Sequence, residues 1–252
     1  GGEAVKMDEG AGEKAAKEGE AAAEEEELAE VNPQIGSLKA PLKTWASCIR
    51  VMDASESTTL GVPLEMEPGV AALNICTCVF TGRQEVYVIV AAAKNIVLGP
   101  KQGAEKGLLL TYTLAAGGQL DLVHSTELDD VPRALCPFQG KLLVGAGKSV
   151  RIYDLGKKKL LRKCENRSMP TMVVGIQVKG DRIFIADVQE SIHLAKYKRA
   201  ENQIYVFADD TVPRWTTCMA VLDADTVAGA DKVSPFPPSF PLTQFRDRLF
   251  CI

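Results

Sequence analysis

An all-β fold, a partial β-propeller of WD40-like blades, is predicted for this chain by three observations. A module recurs about every forty residues. Gly140-Lys141-Leu142-Leu143-Val144-Gly145 opens one copy and Gly180-Asp181-Arg182-Ile183-Phe184-Ile185 the next, while Asp225-Thr226-Val227-Ala228-Gly229-Ala230 opens a third. In the first two copies a second strand-like run follows at once, Val150–Asp154 and then Ile192–Tyr197. No helical stripe interrupts residues 45–232. A period of roughly 40–50 residues made of short strands marks propeller blades. The modules are too few to close a ring, so an arc of about four blades or fewer is expected.

The elements follow in order. Residues 1–43 are Ala, Glu, Gly and Lys running into Asn32-Pro33, Gly36-Ser37 and Pro41. Such a segment cannot offset its ordering entropy by burial, so an acidic disordered linker is expected there. The propeller is expected over 44–232. Trp45–Met52 reads as a strand and polar Asp53–Thr59 as a turn. Val70–Phe80 and Val86–Ala93 are apolar runs parted by Thr81-Gly82-Arg83-Gln84. Leu108–Leu114 and Leu120–Thr126 flank the turn Ala115-Ala116-Gly117-Gly118, and Val131–Phe138 leads into Gln139-Gly140. In the first clear module Val150 and Ile152 point one way, and Ser149, Arg151 and Tyr153 the other, as a period of two requires. Leu160–Cys164, Met172–Val178, Arg182–Ala186, Ile192–Tyr197, Gln203–Phe207 and Thr216–Leu222 continue the rhythm. Four prolines fall between Val233 and Pro241, which a central strand does not tolerate. Residues 233–252 are therefore expected to be an unrelated, disordered tail.

Charge divides the chain. Residues 1–30 hold 11 acidic and 3 basic side chains, a net of −8, which leaves +4 for the remainder of a chain whose total is −4. That surplus forms no concentrated basic stripe of the kind nucleic acid demands. Seven cysteines, an odd number scattered among apolar neighbours, point to a reducing compartment. No apolar run approaches the ~18 residues of a membrane helix.

The motifs that could carry chemistry are weak. Gly147-Lys148-Ser149 matches the end of a phosphate loop, but Leu142 stands where its first glycine belongs and a strand follows instead of a helix. A tight turn is the expected reading. Cys76 and Cys78 share a strand face, and with His124 and His193 as the only histidines they form no zinc set; small buried cysteines are expected. Asp209, Asp210, Asp223, Asp225 and Asp231 gather late in the chain without a nucleophile or an orienting group, so turn capping is expected over catalysis. Trp215 is expected in the core. Lys157, Lys158, Lys159, Arg162 and Lys163 form the densest basic patch and are the candidate contacts for a protein partner or RNA, against the plainer reading of a solvated hairpin tip. No catalytic, cofactor or metal residues are assigned.

Five stretches carry a resemblance: Tyr153 to Asn166, Asp187 to Ser191, Tyr197 to Gln203, Phe207 to Trp215, and Asp225 to Lys232. Together they resemble the large triple-propeller family shared by splicing factor 3b, the cleavage and polyadenylation factor's largest subunit and the UV-damaged-DNA-binding adaptor. The wording of the lysine hairpin is closest to the splicing branch. The resemblance spans about Trp45 to Lys232 and implies a piece of the last propeller with the acidic linker that leads into it. It implies a nuclear, non-enzymatic scaffold in the U2 small nuclear ribonucleoprotein. There such a subunit holds the helical-repeat subunit of splicing factor 3b during branch-site recognition, with any pre-mRNA or snRNA association indirect. Neither a small-molecule substrate nor a membrane is implied. The chain departs from the family pattern in three ways: the two earlier propellers are absent, the wording changes at Val233, and the helical C-terminal region is missing. Two other readings stand beside this one, an adaptor for ubiquitin ligation in UV-damage repair and a truncated product with no function of its own.

Overall fold

The computed structural model describes residues 40, 41, 43–99, 103–223, 226–232 and 249–251. They form strands throughout, with no helix among the described residues. A hairpin of β1 (Cys48–Asp53) and β2 (Thr58–Glu65) comes first. Blade one is a four-stranded antiparallel meander of β3 (Val70–Cys78), β4 (Tyr87–Lys94), β5 (Lys106–Leu114) and β6 (Leu120–Leu128). Blade two repeats it with β7 (Pro132–Phe138), β8 (Lys141–Ala146), β9 (Ser149–Asp154) and β10 (Leu161–Asn166). Blade three has β11 (Val173–Lys179), β12 (Arg182–Asp187), β13 (Ile192–Lys198) and β14 (Gln203–Asp209). The last sheet has three strands, β15 (Thr216–Val221), β16 (Thr226–Asp231) and β17 (Leu249–Cys251). The first strands β3, β7, β11 and β15 pack beside one another in that order. This is a partial propeller: successive meanders fan outward from adjacent inner strands.

Apolar layers between blades hold the arc together. Leu142, Val144 and Ala146 of β8 face Ile89, Ala91 and Leu109 of blade one. Leu143 on the opposite face of β8, with Val150 and Ile152 of β9, packs against Ile183 and Ile185 of blade three. Phe184 and Ala186 of β12 then face Met219 and Val227 of the last sheet. A middle blade is thus buried on both faces, which is why its central strands read as near-continuous apolar runs. Side-chain amides add polar stitches. Asn74 Nδ2 donates to the Arg133 carbonyl at 2.9 Å, and Asn166 Nδ2 to the Ile204 carbonyl at 2.7 Å. Gln177 bridges to β15 twice, donating to the Met219 carbonyl at 2.7 Å and accepting from the Val221 amide at 2.9 Å.

One glycine is fixed by this packing. A Cβ at Gly107 would overlap the Asp130 carbonyl and stand 2.8 Å from Pro132 Cδ, where blade one hands over to blade two. Gly107→Ala is expected to destabilise the chain by about 1–3 kcal/mol through overpacking. A urea midpoint equal to that of the parent chain would contradict that contact.

The structure corrects the sequence reading at three places. The turn read over Asp53–Thr59 is shorter. Asp53 Oδ1 accepts from the Ser55 amide at 2.8 Å, and Thr58 already opens β2, a strand the sequence reading left out. Gly61 and Pro63 inside β2 mask it. Trp215 is 48% exposed instead of buried, because it precedes β15, where its backbone carbonyl accepts from the Lys232 amide. Cys78 is buried but Cys76 only half so. The stretch expected as a disordered tail, 233–252, lies outside the described residues except at Leu249–Cys251. Those three residues pair with Ala228, Val227 and Thr226, so the open edge of β16 is extended by one strand. Of the linker expected at 1–43, only residues 40, 41 and 43 are described.

Candidate functional site

The five basic residues singled out by sequence divide in two. Lys157, Lys158 and Lys159 form the exposed tip between β9 and β10. Blade one clamps both ends of that tip. His124 Nε2 on β6 donates to the Gly156 carbonyl at 3.1 Å, in the tautomer that carries the proton there. Thr126 Oγ1, also on β6, accepts from the Leu160 amide at 3.0 Å, and Leu160 itself is buried in the first core. The three ammonium groups are therefore presented on a fixed loop. Arg162 instead turns to Glu165 at 3.2 Å, and Lys163 stands exposed on β10.

Glu165 belongs to a charge cluster that sequence reasoning missed. Arg151 is 2% exposed and reaches Asp129 at 2.5 Å and Glu165 at 2.8 Å. Arg167 joins Glu165 at 3.1 Å. Burial disfavours the Arg151 cation, but its hydrogen bonds to Asp129 and Tyr153 outweigh that and hold the guanidinium above its ordinary pKa. The Asp129 carboxyl is held below its ordinary 3.8, chiefly by the Arg151 hydrogen bond. The Glu165 carboxyl, although burial pushes it up, ends below its ordinary 4.5 under the influence of Arg167, Arg151 and Arg162.

The late aspartates act on turns. Asp210 accepts from Ser191 Oγ at 2.7 Å and from the Val212 amide at 3.1 Å, and pairs with Arg214 at 3.2 Å. Arg214 also reaches Asp231 at 3.6 Å. Asp225 lies outside the described residues. Gly147 has a φ of 52° and Ser149 Oγ donates to the Ala146 carbonyl at 2.8 Å, which makes Gly147-Lys148-Ser149 a tight turn between β8 and β9. Among the described residues no group of three or more His, Cys, Asp or Glu is placed to hold a metal ion.

Two thiols of blade one, Cys76 and Cys78, are protected. Burial, and then the neighbouring Cys78 and Cys136, push the Cys76 thiol up to about 12. Burial, followed by Cys136 and Asp154, pushes Cys78 up to about 11. At neutral pH both stay protonated and poorly nucleophilic. Iodoacetamide at pH 7.5 is expected to label exposed Cys48 and Cys218 first, and Cys78 and Cys164 only after denaturation. Peptide mapping that found Cys78 labelled as fast as Cys48 would contradict this placement.

An apolar face lies at the other end of the arc. The β1–β2 hairpin covers only part of blade one's outer surface. Between them is a groove of about 580 Å³ lined by Ile49 and Val51 of β1, Ile75 and Val88 of blade one, and Leu114 and Leu120 at the β5–β6 turn. Ile75, Leu114 and Leu122 are more than half exposed, at 54%, 53% and 57%. At the turn, Gly118 has a φ of 86°, and a Cβ there would overlap Leu60, so the hairpin rests directly on backbone. Contiguous exposed apolar surface of this kind marks interaction sites.

The CPSF A subunit region family matches residues 46–235, the span of the hairpin and blades. Splicing factor 3B subunit 3 of Danio rerio is 46% identical over 199 residues, 78% of this chain and 16% of that protein. Pre-mRNA-splicing factor RSE1 of Mycosarcoma maydis is 48% identical over 206 residues, 81% of this chain and 17% of that protein. Spliceosome-associated protein 130 A of Arabidopsis thaliana is 46% identical over 201 residues, 79% of this chain and 16% of that protein. The chain thus spans about a sixth of the length of these relatives.

Proposed function

The chain belongs to the CPSF A subunit region family, and on that premise we propose that it works in pre-mRNA splicing as a non-enzymatic scaffold in the nucleus. The observation that carries this reading is the identity of 46–48% to relatives named for splicing or the spliceosome, in a fish, a fungus and a plant. The partner class is the other splicing factor 3b subunits, foremost the helical-repeat subunit, and the setting is branch-site recognition in the U2 small nuclear ribonucleoprotein. Two surfaces support a docking role. The groove beside β1 offers apolar area, and the clamped tip of Lys157, Lys158 and Lys159 offers positive charge to an acidic partner surface.

Co-expression with the helical-repeat subunit followed by size-exclusion chromatography tests the reading. Co-elution is expected, and Ile75→Asp with Leu122→Asp should reduce it. A chain that elutes alone, while remaining folded by circular dichroism, would contradict the scaffold role.

A further inference from the structure

The outer edge of blade three carries an arrangement that the docking surfaces above do not use. β14 is the edge strand of its sheet, and its register sets Tyr205 opposite Lys196 of β13. The bulge between Leu194 and Ala195 shifts the pairing beyond that point. The Tyr205 and Phe207 rings stand 6.2 Å apart at 51°. The Lys198 ammonium lies 4.8 Å from the Tyr205 ring centre, and the Lys196 ammonium 5.8 Å from that of Phe207. Phe207 remains 45% exposed. Two rings of the edge strand β14 and two cations of its neighbour β13 therefore lie together on one sheet face.

We propose that Tyr205, Phe207, Lys196 and Lys198 form a stacking platform for single-stranded nucleic acid. Every base has a π-face, so a strand of any sequence can lay bases against exposed rings while nearby ammonium groups meet its phosphates. The ammonium groups already lie within cation–π distance of the rings, so charge and ring are held together before a strand arrives. The carboxylates that face them compete weakly. Asp181 is 3.4 Å from Lys196 and 69% exposed, and Glu201 is 3.5 Å from Lys198 and 56% exposed. Solvated pairs of this kind contribute little, and a phosphate can replace either partner. Lysines near a sheet edge also guard against aggregation, but that role needs no half-buried Tyr205 and exposed Phe207 beside them. The inference stands on this geometry alone and does not depend on the splicing role.

The test is fluorescence anisotropy of a labelled short oligouridine with the full 252-residue chain, at low and at moderate salt. Phe207→Ala and Tyr205→Ala are each expected to weaken binding by roughly fivefold or more. Phe207→Trp should retain it and Phe207→Leu should not, which separates ring stacking from simple packing. Lys196→Gln should flatten the salt dependence. Replacing Lys157, Lys158 and Lys159 with glutamine should leave the ring effects in place. Several results would overturn the proposal: no binding by the folded parent chain, equal binding of a duplex of the same length, or binding lost only with the Lys157–Lys159 substitutions. Loss of protein-partner recovery by Phe207→Ala without any RNA binding would reassign the edge to protein docking and equally overturn it.

Discussion

Truncating Arg151 to alanine is expected to cost about 3 kcal/mol of stability, while Arg151→Met, which keeps most of the volume, costs about 2 kcal/mol. Removing one member of a buried ion pair typically costs about 3–5 kcal/mol, because the partner is left desolvated and uncompensated. Here Glu165 keeps Arg162 and Arg167, and Asp129 is 59% exposed, so the low end of that range applies. Methionine refills most of the volume but leaves the same two carboxylates without Arg151, so it recovers only the packing part of the loss. Urea midpoints at pH 7 discriminate the two. Equal losses for both variants would show that charge, not volume, dominates.

The same cluster sets an acid limit. The Asp129 and Glu165 carboxyls sit below their ordinary 3.8 and 4.5 in the folded chain. A depressed folded pKa gives stability that is fully present above the unfolded value and is lost as pH falls through the folded one. The parent chain is therefore expected to lose stability below about pH 4 more steeply than Arg151→Met. Parallel midpoint-against-pH curves would show that the cluster contributes nothing to acid sensitivity.

Phe184→Ala is expected to cost about 3–5 kcal/mol and to loosen the last sheet before the rest. Phe184 is fully buried, and it joins Ala186, Ile192 and Leu194 of blade three to Met219 and Val227. That layer and the Gln177 bridge are the main ties holding β15 and β16. Hydrogen exchange should show protection lost across β15 and β16 while β8 and β9 keep theirs. In a quasi-linear array each unit leans mainly on its neighbours, so damage stays local. Uniform loss of protection from β3 to β16 would mean that the arc unfolds as one cooperative unit instead.

Much of this fold was legible in the chain because β periodicity survives even where both faces are buried. Val150 and Ile152 do face one way, into the layer against blade three, and Tyr153 faces the layer against blade one. Arg151 was not legible as a core residue. A charged side chain in an alternating strand reads as solvent-facing, and it takes Asp129 from the β6–β7 turn, Glu165 from β10 and Tyr153 to make its burial tolerable. β2 was hidden by Gly61 and Pro63, which weaken a strand pattern in sequence. Trp215 was misplaced because a large aromatic predicts burial only where a neighbouring sheet covers it. The lysine tip was visible as a charge run, but its clamp was not, since His124 and Thr126 lie more than thirty positions away. Tyr205 and Phe207 meet Lys196 and Lys198 only through cross-strand register, which no linear pattern displays.

We propose that this partial propeller docks other splicing factor 3b subunits. Affinity capture of the tagged 252-residue chain from nuclear extract, with the bound proteins identified by mass spectrometry, tests it most directly. Recovery of other splicing factor 3b subunits, reduced by Ile75→Asp with Leu122→Asp, is the expected result. Recovery of cullin-type ligase components in their place, or of chaperones alone, would contradict it.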